Sequence, residues 1–459
     1  MNTEKNYPSR RTFLTALGMG AGALALGCVP TPRPSSPAAA APRYAGMAIR
    51  KNIADLAVDD PEVRLIKDGL SILKKRSEIS PLDPRGWQGH SIMHATFCAT
   101  SMYSNQVHYC WYVWPWHRAY LWSLEQKLQQ AVGEPTLALH YWDWTKNRKI
   151  PAHYWGGEDN PLFNITRQVT AEDEIPADFI NVGAAFRASE YKTFGGYPAI
   201  KEPGEEQRDG IAEQSFHNNI HNWIGGQMAT FTESGFDPIF YGHHGNCDRI
   251  WAAWRGYTPA NTLPEEEEWL DKRIFVSDGN GRPVDFRIRD LLETEALGYR
   301  FTDVDLNQKF CNPLMEYDKP PRNRSAQDCV AAVAADRRQS GRIFREFTNK
   351  ERTHVVVTFD RAQLPYQPYC ARIYFEYAAG GEPRSKYVGT FTILPIVDID
   401  TVLLQKGVHL QIEIEREIAE ALRDEQAVRV VFQPVPLPNR DIPPGKLELE
   451  NVSILLDYA

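Results

Sequence analysis

The pattern of apolar and polar positions changes once along the chain, near residue 345. Before that point, from about residue 44 to residue 303, the pattern predicts helices joined by long irregular connections such as 146–205. After it, short segments alternate or run apolar as strands do, at 353–359, 371–377, 386–393, 428–432 and 446–450. One clear helix is predicted among these strands, from Ile414 to Arg423. The polar, proline-containing segment 304–345 predicts a linker between a helical and a strand-rich domain.

Two helix starts can be placed from local chemistry. Asp237 can cap a helix, and Pro238 suits its first turn because the N–H that proline lacks has no helical partner there. Trp114-Pro115 similarly predicts the start of a helix. These two helices would carry His244 and His117, so both starts place a histidine inside a helical segment.

Histidine is concentrated in these helical segments. Half of the 12 histidines stand in two groups of three, which are His94, His108 and His117, and His217, His221 and His244. His217 and His221 are four residues apart and share one face of a helix, and a four-helix bundle can project such side chains inward. Neutral imidazole suits copper, which nitrogen ligands bind more tightly than zinc. The spacing therefore predicts two copper ions, each held by three histidines, that face each other and bind dioxygen between them.

The histidines stand in motifs that together resemble the type-3 copper proteins, the group of tyrosinases, catechol oxidases and hemocyanins. The motifs are His108 followed by Trp116-His117-Arg118, Tyr141-Trp-Asp-Trp144, His217-x3-His221, and Asp237-Pro-Ile-Phe-Tyr-x-His-His244-x-Asn-x-Asp248-Arg249. The resemblance runs from about residue 44 to the C-terminus and implies the same two ligand sets. It implies a mainly α copper domain at 44–303, in which a four-helix bundle holds two coppers. It also implies a β-sandwich-like shielding domain at 346–459, like that of latent plant polyphenol oxidases.

The same resemblance implies a polyphenol oxidase that oxidises o-diphenols to o-quinones with O2 and can also hydroxylate monophenols. An o-aminophenol oxidase and a hemocyanin-like oxygen-binding protein share such a site and remain alternatives. Glu213 and Asn218 match the positions at which tyrosinase-like enzymes hold a water that takes the phenol proton. A phenol has a pKa of about 10, so a positioned base eases its reaction. A solvated or first-turn carboxylate is the simpler interpretation of Glu213.

The cysteines leave several pairings open. Cys98 matches the cysteine that plant enzymes join to a ligand histidine, here His108, through a thioether bond. Cys110 competes with this interpretation as a disulfide partner of Cys98. Cys311 and Cys329 lie in one irregular segment and would either staple it or remain free thiols.

Phe231 and Asp248 also have two interpretations each. Phe231 is either a bulky gate over the first copper, as the resemblance implies, or a core residue. Asp248 is either an acceptor for the second N–H of a ligand imidazole or the partner of Arg118 or Arg249. His243 is expected beside His244 without binding copper, because neighbours on a helix point about 100° apart. The histidines expected to be structural or superficial are His90, His140, His153, His354 and His409.

The N-terminus predicts a targeting segment rather than part of the fold. Ser9–Leu14 resembles a twin-arginine export signal, and the apolar run Leu14–Leu26 is too short for a confident transmembrane helix. Ala25–Cys28 resembles a lipoprotein cleavage box, with a lipid anchor on Cys28; cleavage near Ala38–Ala41 is the alternative. Residues 29–43 predict a Pro- and Ala-rich tether. The expected location is periplasmic, anchored as a lipoprotein, or secreted.

Composition adds limits rather than chemistry. With 459 residues and 42% hydrophobic content, the chain is long enough for two or three globular domains. A net charge of −8 argues against nucleic acid or an anionic membrane surface as the main partner. The expected partners are a phenolic small molecule and O2.

Overall fold

A computed structural model describes residues 46–98, 107–199, 209–304, 329–332, 352–363, 369–393, 408–415, 418, 429–439 and 448–456. The predicted export signal, the tether and Cys311 lie outside these residues. In the part of the chain that is described, no helix has both the length and the apolarity needed to cross a bilayer.

The four longest helices among the described residues belong to the helical domain. They are α1 (Pro61–Ile79), α2 (Trp87–Cys98), α3 (Val113–Val132) and α7 (Ile239–Tyr257). Helix α1 packs against α2 and α3, and α3 packs against α7. Helix α6 (Asn218–Ile224) continues from a π-helical turn at Glu213–His217. Three short helices lie on the connections, namely α4 (Val182–Arg187), α5 (Tyr191–Gly195) and α8 (Glu267–Leu270).

The predicted start of α7 is confirmed, and it is tied to the rest of the fold. The backbone N–H of Ile239 donates to the Asp237 carboxylate at 3.1 Å, so Asp237 caps the helix. The same carboxylate accepts two hydrogen bonds from the buried Arg167 guanidinium, at 2.6 and 3.0 Å. Helix α3 ends at Gly133, whose φ of 74° is the left-handed conformation that glycine adopts without strain.

Two short parallel strands close the helical domain. Strand β1 (Ala48–Arg50) pairs with β4 (Tyr299–Phe301), so the two ends of the domain meet. The fully buried Arg50 side chain stacks over the Tyr299 ring at 3.5 Å. A hairpin of β2 (Arg273–Ser277) and β3 (Pro283–Arg287) precedes this closure.

The C-terminal strands form two antiparallel sheets, as expected of a β-sandwich-like domain. One sheet has the order β5-β10-β7-β8 and the other β11-β6-β9. The strands are β5 (Cys329–Ala332), β6 (Arg352–Gln363), β7 (Tyr369–Ala379), β8 (Glu382–Ile393), β9 (Val408–Glu415), β10 (Arg429–Pro434) and β11 (Glu448–Leu456). The fold class predicted from the sequence is therefore confirmed: a mainly helical domain followed by a strand-rich one.

Two details of the predicted C-terminal domain are corrected. Ile414, predicted to begin a helix, lies in strand β9, which pairs with β6 along its whole length. The segment from Val408 to Glu415 alternates apolar and polar residues, and pairing with a neighbouring strand outweighs the helix propensity of its glutamates. Strand β5 falls inside the predicted linker because its partner β10, far along the chain, supplies the hydrogen bonds that define it.

The strand-rich domain contacts the helical domain beside α6. The Arg372 side chain on β7 donates to the buried Asp178 carboxylate at 2.8 Å. On β8, the Thr390 hydroxyl donates to the same carboxylate at 3.0 Å, and the Thr392 hydroxyl donates to the Asn219 side chain. The C-terminal sheet is thus docked on the helix that carries His221.

Candidate metal centre

The first histidine group draws its members from two helices and the loop between them. His94 lies on α2, His108 on the loop before α3, and His117 in the first turns of α3. The ring centroid of His94 lies 5.7 Å from that of His108 and 5.6 Å from that of His117. The centroids of His108 and His117 are 4.9 Å apart. One donor atom from each of these residues and from Cys98 lies within 4.8 Å of the others. Because residues distant in sequence converge here, the group is a candidate metal site.

The second group is tighter. The Nε2 atom of His244 on α7 lies 3.3 Å from Nε2 of His217 and 3.1 Å from Nε2 of His221. A ring nitrogen of His243 also lies within 4.8 Å of donor atoms of these three. The two groups face each other, since the rings of His117 and His244 stack with centroids 4.2 Å apart.

Hydrogen bonds fix which ring nitrogen of the histidines is available. Nδ1 of His94, His117 and His221 lies 3.0, 2.7 and 2.7 Å from the backbone carbonyls of Phe231, Val113 and Met228. A carbonyl can only accept, so each Nδ1 carries the proton and Nε2 keeps its lone pair. The Nε2 atoms of His94 and His117 are buried without a hydrogen-bond partner among the described residues. These are the atoms that a metal ion would satisfy.

Burial keeps the imidazoles neutral. It lowers the pKa of His94 to about 3 and that of His221 to about 4, and it lowers the pKa of the other four ligand candidates well below the usual value. The neutral form is the one that binds metal. A donor set of six imidazoles without a carboxylate fits copper.

Glu213 and Asn218 lie at the two ends of the π-helical turn that also contains His217. Glu213 is fully buried, and burial raises the pKa of its carboxyl well above the usual value, with a further rise from the charge of Asp209. The Asn218 side-chain oxygen lies 2.8 Å from Nδ1 of His217 and accepts its proton. The structure therefore places Asn218 against His217 in the second histidine group, which it orients, and places the Glu213 carboxylate on the amide of Tyr109, next to His108 of the first group.

The remaining sequence candidates differ in outcome. Cys98 and Cys110 are both buried, Cys98 within the first histidine group and Cys110 in the loop that carries His108, so the thioether and the disulfide both stay predictions. Phe231 is 4% exposed and its ring lies 4.5 Å from that of His108, so it is packed against the first group. The gate interpretation of Phe231 stays a prediction.

Asp248 does not accept a ligand N–H, which corrects that expectation. Its carboxylate accepts from Arg118 at 2.6 Å, from Arg50 at 3.2 Å and from the Tyr299 hydroxyl at 2.5 Å. Three of the ligand imidazoles already donate to backbone carbonyls and His217 donates to Asn218, while the buried Arg118 guanidinium needs a counter-charge. The simpler interpretation, an ion pair with Arg118, is the one the structure bears out, whereas Arg249 lies 2.9 Å from Asp143.

Sequence reasoning missed two contacts of the second group. The Phe240 ring stacks on that of His244 with centroids 4.0 Å apart, one helical turn earlier on α7. Cys247 Sγ lies 3.8 Å from Nε2 of His243, one turn later. The four-residue spacing of each pair was visible in the sequence, but the same spacing recurs at many positions that touch no metal site. Among the histidines expected to be structural, His90, His140 and His153 are buried outside both groups.

Comparisons with known proteins agree with this geometry. The model of the common central domain of tyrosinase matches residues 84–183 and 166–257, and that of the polyphenol oxidase middle domain matches 264–313. A chloroplastic polyphenol oxidase of Malus domestica is 27% identical over 291 residues, 55% of this chain and 49% of that protein. Polyphenol oxidase E of Solanum lycopersicum is 24% identical over 418 residues, 77% of this chain and 69% of that protein. The chain thus spans about half the length of the first relative and two thirds of the second.

A solved structure shares the fold of both domains. Latent apple tyrosinase superimposes with a TM-score of 0.67 at 21% identity, over 90% of this chain and 98% of that one. The match extends beyond the histidine groups into the C-terminal strands, because its coverage exceeds the helical domain.

Proposed function

The chain belongs to the tyrosinase and polyphenol oxidase family of type-3 copper proteins, and we propose that it oxidises o-diphenols to o-quinones with O2. The observation that carries this proposal is the pair of all-imidazole groups whose His117 and His244 rings stack 4.2 Å apart. Two copper ions held there supply dioxygen binding and electron exchange. Two diphenols each lose two electrons and two protons, and one O2 becomes two waters.

The protein's own residues hold and shield this chemistry. Backbone carbonyls fix the ligand rings, so the site needs little rearrangement when it works. Buried aromatic side chains such as Phe231 and Phe240 exclude water from the imidazoles. The Glu213 carboxyl, whose pKa burial raises, is a stronger base when ionised than an exposed carboxylate and is therefore a suitable proton acceptor for a phenol.

The test is a substrate panel on the copper-loaded full chain. A catechol, a monophenol and an o-aminophenol are supplied in turn, while oxygen uptake and product absorbance are followed. Quinone formation from the catechol with matching oxygen uptake supports the proposal. Faster turnover of the o-aminophenol would favour the aminophenol oxidase. Reversible oxygen binding without any product would favour a hemocyanin-like carrier and overturn the proposal.

Hydroxylation of monophenols is the finer part of the proposal, and it rests on Glu213 and Asn218. A catechol loses its first proton more readily than a monophenol does, so monophenol hydroxylation depends more on a positioned base. In Glu213→Gln, we expect the monophenol rate to fall much more than the catechol rate. Equal losses on both substrates would show that Glu213 has no role specific to the monophenol.

A thioether between Cys98 and His108 is a second finer proposal, supported by the position of both residues in the first group. The bond would join the sulfur to a ring carbon, with loss of one hydrogen from each, and O2 at the coppers as oxidant. It would fix the imidazole plane. Peptide mass spectrometry of copper-loaded and copper-free protein tests it, since a cross-linked peptide should appear only after loading with copper in air.

Shielding of the site by the C-terminal domain is also proposed, supported by the contacts of β7 and β8 beside α6. The resemblance to latent plant enzymes implies that a bulky side chain between Tyr366 and Lys386 shields the site, with Tyr366, Tyr369 and Tyr377 as candidates. Tyr366 lies outside the described residues, as does the side chain of Tyr369, and Tyr377 is buried. Limited proteolysis within 304–345 should raise activity on bulky phenols more than on catechol.

Export by the twin-arginine route, with or without a lipid anchor on Cys28, remains a proposal that rests on the sequence alone. Fractionation of expressing cells tests it. The wild-type chain should leave the cytoplasm and a chain with both Arg10 and Arg11 replaced by Lys should not. Detergent-dependent release that is lost in Cys28→Ser would support the anchor.

A further inference from the structure

The backbone of Tyr109, directly after His108, adopts an unusual conformation. Its φ is 59°, in the left-handed region that bulky aromatic residues rarely occupy. Relative to glycine, an L-residue there carries a steric cost between Cβ and the following carbonyl. Such a conformation persists only where the surroundings hold it. The loop that presents His108 is therefore shaped by its contacts rather than by its own preference.

One of these contacts comes from Glu213, in the π-helical turn that also contains His217. The Tyr109 backbone N–H donates to both carboxylate oxygens of Glu213, at 3.2 Å each. Glu213 is fully buried, so its carboxylate is not free to exchange this bond for water. Two residues later in the loop, the Trp111 N–H donates to the Tyr197 carbonyl at 2.8 Å. The loop is thus fastened at two points by segments far along the chain.

The position of Glu213 depends on the π-helical turn. The Asn218 N–H bonds the Glu213 carbonyl, which spans five residues instead of the usual four. This wider turn offsets Glu213 from the position that a regular helix would give it relative to His217. The carboxylate contacts the loop of the first group, while His217 contacts His244 in the second.

The Tyr109 ring extends the connection to the other side of the first group. It meets the Phe231 ring edge-on, with centroids 5.6 Å apart. Phe231 in turn packs on the His108 ring at 4.5 Å, and its carbonyl accepts the Nδ1 proton of His94 at 3.0 Å. A continuous set of contacts therefore runs from Glu213 through Tyr109 and Phe231 to two first-group histidines.

We propose that Tyr109 is a positioning residue of the first copper site. Glu213, which lies in the π-helical turn that also contains His217, clamps the backbone amide of Tyr109 through its hydrogen bonds and so holds the His108 ring in position. Glu213 would then support the first copper site, in addition to its proposed role toward the phenol proton. The inference rests on copper binding at the first group but not on phenol oxidation. A failure of the oxidase proposal would therefore leave it standing.

The first test concerns the strain at Tyr109 and needs no copper. Tyr109→Gly and Tyr109→Ala both remove the ring and keep the N–H. The difference in their folding stability therefore reports the cost of the backbone conformation alone. We expect the glycine variant to have the larger folding equilibrium constant, by on the order of tenfold. The matched control is exposed Lys75 in the middle of α1, where alanine should be the more stable of the two. An alanine variant as stable as the glycine variant at Tyr109 would overturn the proposal.

The second test separates the two sites. The His244→Ala chain should keep only first-site Cu(I) binding and the His117→Ala chain only second-site binding. Each is combined with Glu213→Ala or Glu213→Gln, and Cu(I) affinity is measured by competition with a coloured chelator. We expect Glu213→Ala to weaken first-site affinity by roughly tenfold or more and second-site affinity less, with partial rescue by Gln, whose amide keeps one acceptor oxygen.

The outcomes of the second test distinguish a failure of the Glu213 clamp from a failure of the copper assignment. A loss confined to the second site, or no loss at either, would overturn the clamp. If His244→Ala protein bound no Cu(I) even with Glu213 intact, the copper assignment of the first group would fail instead. If the double variants did not fold, as judged by circular dichroism, the glycine–alanine comparison at Tyr109 would decide the proposal alone.

Discussion

The two histidine groups are built differently. The second takes His217 and His221 from one continuous helical segment and His244 from another, so local helix geometry aligns most of it. The first takes His108 from a loop whose next residue, Tyr109, has a positive φ. The comparison shows that two sites with the same three imidazole donors can be positioned by different kinds of structure. The second group is largely encoded by spacing, whereas the first depends on contacts with Glu213 and Phe231.

The largest expected effect separates the groups by their metal. We predict that His117→Ala and His244→Ala each retain one copper per chain instead of two, because each removes one neutral nitrogen ligand from one group. Activity on catechol should fall to background in both. Copper is counted by atomic absorption, and the absorption band of the oxygenated protein should be lost.

The control for this prediction is His153→Ala. His153 is buried outside both groups, so its loss should leave two coppers bound. A chain that kept two coppers after loss of His117 or His244 would contradict the assignment of ligands.

The next largest effect concerns a buried ion pair that connects the helices of the two groups. Arg118 follows His117 on α3, and Asp248 lies one turn after His244 on α7, so their buried ion pair joins the helices of both groups. Asp248→Asn should lower the free energy of unfolding by about 3–5 kcal/mol, because it leaves the buried Arg118 without its counter-charge. Arg50 keeps its ion pair with Glu125. Urea unfolding measures it. The same change at exposed Asp159 should cost almost nothing, and an equal cost at both positions would show that the network is not the cause.

The third prediction concerns the pH dependence of stability that comes from His140, a buried histidine outside both groups. Burial lowers the pKa of His140 to about 4, against about 6.5 in an unfolded chain. Between these values the unfolded state binds the proton and the folded state does not, so stability falls as pH falls through this window. Copper-loaded His140→Gln should lose at most about 3 kcal/mol of this pH dependence. Urea midpoints from pH 7 to pH 4 that match the wild type would contradict it.

The smallest effect tests whether the C-terminal domain acts on one side of the centre. Its contacts to Asp178 and Asn219 lie beside α6 in the second group. Arg372→Ala leaves the buried Asp178 without its cation, and should loosen this docking and raise turnover of a bulky phenol severalfold, with catechol turnover nearly unchanged. Exposed Arg384 on β8 provides the control, Arg384→Ala. Lower stability with unchanged activity per copper would favour a purely structural domain.

Local sequence patterns were sufficient to predict the two groups of three histidines, the helix that begins after Asp237-Pro238 and the change to strands beyond residue 345. Each is a local pattern, because a spacing of four residues, a capping pair and an alternating segment all act over neighbouring positions. The fold class followed from these patterns and from the motifs that contain them. The alternation of Val408–Glu415 is a local strand signal, but the predicted helix Ile414–Arg423 overlapped its last two residues, because the pairing of this strand with β6 is not visible in the sequence.

Packing between distant segments controls which groups meet. It brings Asp248 to Arg118 and Arg50 rather than to a ligand, because the buried Arg118 guanidinium needs a charge and three of the ligand imidazoles donate to backbone carbonyls. It also placed the Glu213 carboxylate on the Tyr109 amide, 104 residues away in the chain. Contacts at such separation depend on how helices pack, and packing responds to the whole set of side chains rather than to any one segment.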